Sequence, residues 1–207
     1  MSTGLFISFE GIDGVGKSTQ VDMLAEFLES RGRTVVKTCE PGGTELGNEI
    51  RHLLLHRKGG VAPRAEALLF AADRAHHVAT KVLPSLNRGE VVITDRYLDS
   101  SVAYQGSGRD LDFEAIRNLS LFAVNGLLPK LTVLLDLDAS KAMSRRDSTG
   151  SSPDRLESEK VEFFETVRQA FLKLAKAEPD RFLVVSAELP VDQIAERIRA
   201  RVEELLD

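Results

Sequence analysis

Short apolar runs alternate with longer amphipathic stretches along most of this chain. Leu5–Phe9, Thr34–Thr38, Val91–Thr94, Leu131–Leu135 and Phe182–Val185 are each rich in Val, Ile, Leu or Phe. Their brevity and unbroken apolarity predict strands buried on both faces, as in a parallel sheet. Between them, apolar residues at helical spacing predict helices over Ser18–Ser30, Leu46–His56, Pro63–Asn87, Asp112–Gly126, Ser140–Arg146, Glu157–Ala177 and Pro190–Leu206. Gly32, Gly89 and Pro129 stand where stops are needed. The alternation of strand and helix predicts an α/β fold, a five-stranded parallel sheet flanked by helices on both faces. No repeat or low-complexity linker interrupts the pattern. A chain of 207 residues with 43% hydrophobic content suits a single domain, residues 1–207.

One stretch breaks the rhythm. Asp147 through Asp154 is small, polar and turn-prone between two helical patterns, which predicts a mobile surface loop. Composition alone reads as an exposed connector. The flanking Arg145, Arg146 and Arg155 favour a short lid over residues 145–156, because cations on a closing loop can neutralise a transferring phosphoryl group.

Charge and cysteine content narrow the setting. The net charge is −5 with no long basic run, which argues against nucleic acid as a principal partner. Cys39 is the one cysteine and excludes an intramolecular disulfide. With no cleavable signal and no apolar run of about 18 residues, the expectation is a soluble cytoplasmic protein without membrane partners.

The chemistry is concentrated after the first strand. Gly11-Ile12-Asp13-Gly14-Val15-Gly16-Lys17-Ser18 follows G-x-x-x-x-G-K-[ST], with a strand before it and a helix after it. Glycines let backbone N–H groups turn toward a triphosphate, Lys17 reaches its terminal phosphates, and the Ser18 hydroxyl can ligate Mg²⁺. Asp95-Arg96-Tyr97 follows the third strand, at the carboxyl end where open α/β sheets bind ligands. There Asp95 can hold Mg²⁺ through water and Arg96 can pair with a phosphate; an ordinary ion pair is the alternative for Asp95. Glu40-Pro41-Gly42-Gly43-Thr44 makes a sharp turn after the second strand, in which Glu40 could be a structural cap. Arg51 reads as a solvated arginine and Cys39 as a small buried thiol. Phe70 and Arg74 are four apart and share a helix face, either as core and partner or as a pair that stacks and reads a planar base. His52, His56, His76 and His77 lack trustworthy metal spacing and read as surface residues.

Together, Phe9 through Thr19, the Glu40–Thr44 turn, Phe70-Ala71-Ala72-Asp73-Arg74, and Asp95-Arg96-Tyr97 through Ser100-Ser101-Val102-Ala103-Tyr104-Gln105-Gly106 resemble the bacterial thymidylate kinases nearly end to end. The resemblance implies the P-loop NTPase fold, transfer of the γ-phosphate of ATP to dTMP, Mg²⁺ as cofactor and a homodimer. It extends the ATP loop to Thr19 and gives Asp13 a contact to the sugar 3′-hydroxyl. It assigns Phe70 to stacking on thymine, Arg74 to the base carbonyl, Ser101 and Gln105 to the base edge, and Tyr104 to the deoxyribose. Arg51 and Arg96 match arginines on the acceptor phosphate, and Glu40 and Pro41 part of the acceptor wall. Gly14 matches the bacterial type, which supplies its catalytic arginines from the lid; Asp154-Arg155-Leu156-Glu157 aligns with the lid's end and makes Arg155 the expected catalytic cation, with Arg145 and Arg146 beside it. Ser186-Ala187-Glu188 is a candidate adenine contact by position alone.

Two other readings are open. A nucleotide switch could own the same loop, but no Asn-Lys-x-Asp guanine reader occurs. Another pyrimidine nucleotide or deoxynucleoside kinase is a closer competitor, and dUMP differs from dTMP by one methyl, worth about 1–3 kcal/mol in an apolar pocket.

Overall fold

In a computed structural model, which describes residues 4–109, 111–148 and 154–206, five parallel strands form one sheet of order β2-β3-β1-β4-β5. The strands are β1 (Phe6–Glu10), β2 (Val35–Cys39), β3 (Val91–Asp95), β4 (Leu131–Asp136) and β5 (Phe182–Ser186). Three of them, β1, β3 and β4, are buried almost throughout. The edge strands β2 and β5 keep exposed positions, because an edge has neighbours on one side only and a less complete helical cover. Burial on both faces therefore holds for the central strands and not for the edges.

Helices α1 (Lys17–Ser30) and α9 (Val191–Leu206) pack on each other and on the strands. A second group contains α3 (Pro63–His77), α4 (Leu83–Asn87), α5 (Leu98–Ser101) and α8 (Val161–Ala177). Helix α2 (Glu45–Leu55) lies on α3, α6 (Phe113–Ala123) on α3 and α5, and α7 (Ala139–Asp147) on α8. The helix expected over Pro63–Asn87 is continuous in path but loosens into a π-turn at Val78–Val82 just before Pro84, which has no N–H to offer the regular ladder. The helix expected from Glu157 begins at Val161 instead, after a turn in which Asp154 accepts from the N–H groups of Leu156 and Glu157.

Register brings the chemistry together. Phe9 lies beside Asp95, and Asp95 beside Cys39, so the three chain segments that leave β1, β3 and β2 emerge side by side. The phosphate-loop motif, Asp95-Arg96 and the Glu40 turn are thus one edge of the sheet, although they are far apart in sequence. Of the expected lid, residues 149–153 lie outside the described residues; Asp147 ends α7 and Ser148 caps it.

Candidate active site

Gly14 shows why the loop after β1 tolerates so little. Its φ is 84°, and a Cβ there would lie 2.1 Å from the carbonyl oxygen of Ala142 on α7. The loop is therefore pressed against the helix that carries Arg145 and Arg146. Lys17 starts α1 and is buried; its Nζ donates to the carbonyls of Gly11 (3.2 Å) and Ile12 (3.0 Å). Burial pulls its pKa down, with Arg96 adding to the shift and Asp95 and Asp13 opposing it. Ser18 donates to Asp95 Oδ2 across 3.4 Å, while Asp95 Oδ1 is buried without a protein partner. Lys17, Ser18, Thr19, Asp95, Arg145 and Arg146 line one cleft together with the loop.

A second, narrower cleft of about 110 Å³ lies beside it. Every acceptor-side candidate reaches it: Asp13, Glu40, Pro41, Arg51, Phe70, Arg74, Arg96, Ser101, Tyr104 and Gln105. Asp13, Glu40, Arg51 and Arg96 line both clefts and so mark where the two meet. Arg96 holds a left-handed backbone, φ 69°, uncommon for a side chain of its size. From there it donates to Asp13 (2.6 Å), Ser100 (3.0 Å) and the Tyr104 hydroxyl (3.1 Å). Burial alone would raise the Asp13 pKa, but Arg96 and Lys17 outweigh it and hold the group at about 2. Arg51 donates to the Pro41 carbonyl at 2.8 Å.

Arg74 is 1% exposed and forms the floor of this cleft. Its Nε donates to Glu40 Oε2 at 2.6 Å, and one terminal nitrogen donates to Tyr97 O and Ser101 Oγ. The other terminal nitrogen is buried and has no protein partner, which leaves one strong donor available to a ligand. Glu40 in turn meets His77 Nδ1 at 2.9 Å, and His77 Nε2 lies 2.7 Å from Thr38 Oγ1. His77 is thus wholly buried, contrary to the surface position its sequence context suggests, whereas His52 and His56 are exposed. Cys39 is partly buried, and burial raises its thiol pKa, as expected for an inert side chain.

Arg155 departs from expectation. It does not line the phosphate cleft: its Nε donates to the Leu54 carbonyl at 2.8 Å and a terminal nitrogen is paired with Glu66. The charge that the resemblance places at the transferring phosphate is here paired with the buried Glu66 carboxylate. Leu156, next to it, packs with Ile50, Leu54, Leu55 and Phe70 in a small apolar cluster separate from the main core. Arg145 and Arg146 do face the phosphate cleft; Arg145 donates to Ala187 O and Arg146 to Glu157 O.

Several supporting residues escaped the sequence reading. Glu10 is fully buried, accepts from Tyr97 N (2.9 Å) and from the Ser100 hydroxyl, and so braces the segment that follows Arg96. Burial, then Asp99, pushes its pKa up to about 8. Glu66 lies four residues before Phe70, which lies four before Arg74, so one face of α3 carries all three; that spacing was a legible signal.

A parallel sheet with a phosphate-loop motif at its carboxyl edge, beside a second cleft of paired cations, is the arrangement of a P-loop phosphotransferase. The thymidylate kinase family model matches residues 9–198, and the chain belongs to that family. It is 63% identical over 204 residues to the thymidylate kinase of Clavibacter sepedonicus, covering 99% of this chain and 97% of that one. It is 56% identical over 208 residues to the thymidylate kinase of Bifidobacterium longum subsp. infantis, covering 99% and 88%. The crystal structure of the thymidylate kinase from Ehrlichia chaffeensis superposes with a TM-score of 0.80 at 32% identity, over 97% of this chain and 99% of that one.

Proposed function

We propose that this chain transfers the γ-phosphate of ATP to dTMP, giving ADP and dTDP, with the donor in the phosphate-loop cleft and the acceptor in the cleft floored by Arg74. The observation that carries this arrangement is that the two clefts meet at Asp13, Arg51 and Arg96. An acceptor phosphate held by Arg51 and Arg96 would face the terminal phosphate held by Lys17. A bond forms from an acceptor phosphate oxygen to γ-phosphorus as the bond to the β,γ-bridging oxygen breaks, and ADP leaves. Little covalent chemistry is required of the protein, so alignment and cations carry the catalysis. Lys17 and Arg96 are the catalytic cations, and Arg145 and Arg146 join them from α7. Asp13, held ionised, would orient the sugar while keeping Arg96 in place.

The donor set suits Mg²⁺: one hydroxyl, Ser18, and one carboxylate, Asp95, with an unpartnered buried oxygen. Phosphate oxygens and water would complete its octahedral shell. When bound, the ion would neutralise charge on the β- and γ-phosphates.

Leu68 on α3 and Phe122 on the adjacent α6 are 58% and 85% exposed, which supports a homodimer through these helices. Sedimentation of a single monomeric species at micromolar concentration would remove that part. No described helix is long and apolar enough to cross a membrane, and a net charge of −5 suits a cytoplasmic enzyme.

ADP release from Mg·ATP should be measured against dTMP, dUMP, dCMP, AMP, GMP and thymidine at matched concentrations. Strong preference for dTMP, with lesser dUMP turnover, is expected. Preference for thymidine would overturn the phosphate role of Arg51 and Arg96.

A further inference from the structure

Glu66 is 1% exposed and outside the set that faces a ligand, yet it divides its two oxygens between two tasks. One accepts from Gln105 Nε2 at 3.0 Å and from Arg109 Nε at 3.4 Å; the other is paired with Arg155. A carboxylate accepts hydrogen bonds and does not donate them, so it can take only the NH₂ end of the Gln105 amide. Gln105 lines the acceptor cleft, and its remaining Oε1 is an acceptor with no hydrogen-bond partner among the described residues. Arg74 supplies the complementary feature, a buried guanidinium nitrogen without a partner.

We propose that Glu66 is a specificity-determining positioning residue, which fixes the polarity of the Gln105 amide so that the cleft accepts a pyrimidine presenting a carbonyl beside a ring N–H. This rests on the base end of dTMP lying against Arg74 and Gln105. A 4-keto pyrimidine offers O4 to the guanidinium and N3–H to Oε1. A 4-amino pyrimidine offers the inverse, an N–H₂ facing a cation and a bare ring nitrogen facing an oxygen. Were the amide free to turn over, its NH₂ could meet that ring nitrogen and the rejection would weaken. Arg155 and Arg109 brace the carboxylate from the other side, and Arg109 is itself tied to Glu159 at 2.6 Å. Arg155 meets only the far oxygen of this carboxylate, and its Nε donates to the Leu54 carbonyl, so the Glu66–Gln105 hydrogen bond does not run through it.

The test compares kcat/KM for dTMP and dCMP, with the KM for ATP measured alongside, in the full-length wild type, Glu66→Gln and Arg155→Ala. Glutamine keeps the size of Glu66 but can donate as well as accept, so the dTMP/dCMP ratio should fall about tenfold or more, through the dTMP and dCMP KM values, with the ATP KM unchanged. Arg155→Ala leaves the Glu66–Gln105 bond and should keep the ratio within about twofold of wild type. A Glu66→Gln enzyme with lowered turnover on both acceptors but an unchanged ratio would overturn the proposal and leave Glu66 a merely structural group. A wild type that itself prefers dCMP would instead overturn the placement of the base. If Glu66→Gln does not fold, the side-chain amide of Gln105 in the wild type, assigned by its loss in Gln105→Leu, still decides. Slow solvent exchange of one amide proton without dTMP supports a held amide, and rapid exchange of both refutes it.

Discussion

Asp13, Gly14, Gly16, Lys17, Ser18 and Thr19, all from one loop and the start of its helix, form one wall of the donor cleft. The acceptor cleft takes Glu40 from a turn, Arg51 from α2, Phe70 and Arg74 from α3, and Ser101, Tyr104 and Gln105 from α5 and the π-turn at Val102–Ser107 that follows it. Its side chains are already bonded to one another: Arg74 to Glu40, Glu40 to His77, Gln105 to Glu66, Arg96 to Asp13. A phosphate needs only convergent N–H groups and a cation, which a short loop at a helix N-terminus can provide. A base must be told from similar bases, which takes directed donors and acceptors fixed from several sides. The acceptor cleft is therefore part of the fold's own buried polar network, whereas the donor cleft is an attachment to its edge.

That contrast can be broken most visibly at Lys17. Lys17→Ala should lower kcat by about two to three orders of magnitude, as for loss of other transition-state electrostatic donors, with dTMP affinity within about twofold of wild type. Calorimetric titration with dTMP checks the second half; a parallel collapse of dTMP binding would mean the clefts are not separable. Arg74→Ala should behave in the opposite manner. It strands Glu40, buried, with only His77, so denaturant unfolding should show a loss of about 3–5 kcal/mol alongside weakened dTMP binding. Stability equal to wild type would place the Arg74–Glu40 pair outside the folding network.

A smaller effect lies in the pH dependence. Asp73 Oδ1 accepts from Gly42 N, while its Oδ2 is buried and unpartnered. Burial, then the Glu40 carboxylate, raises its pKa to about 7, against the relief offered by Gly42, Arg74 and His77. A raised carboxyl keeps its proton in the native state after the unfolded chain has lost it. Stability should thus fall as pH climbs from near 4 through 7, by up to about 1.4 kcal/mol per pH unit for one proton. Asp73→Asn cannot titrate and should flatten that decline in unfolding experiments between pH 5 and 8, with Glu10, raised to about 8, leaving a residual slope. An identical pH profile in the variant would show that Asp73 is ionised in the native state.

Strands, most helices and the phosphate loop were legible because each is a local pattern: an apolar run, a helical period, or glycines at fixed spacing before Lys17. Membership of the thymidylate kinase family was legible for the same reason, as four motifs in order. The helical stretch Leu98–Ser107 was not, since its apolar residues Leu98, Val102, Ala103 and Tyr104 span too short a run to show a period, and it is held by burial against α3, α6 and α8. His77 and Glu66 look like ordinary polar residues on an amphipathic helix, and only the packing of the β2 turn and the α5 region over α3 buries them.

Arg155 marks the boundary most clearly. Its place in the sequence, beside Arg145 and Arg146 at the end of a polar stretch, makes it a cation near the reaction; the fold turns it onto Glu66 and leaves Arg145 and Arg146 at the phosphate cleft. Sequence by itself determined the sheet, the donor loop and the kinds of charge available, because these depend on residues close along the chain. Which charge meets which partner was decided only in the tertiary structure, because a buried ion pair depends on groups brought together from distant segments.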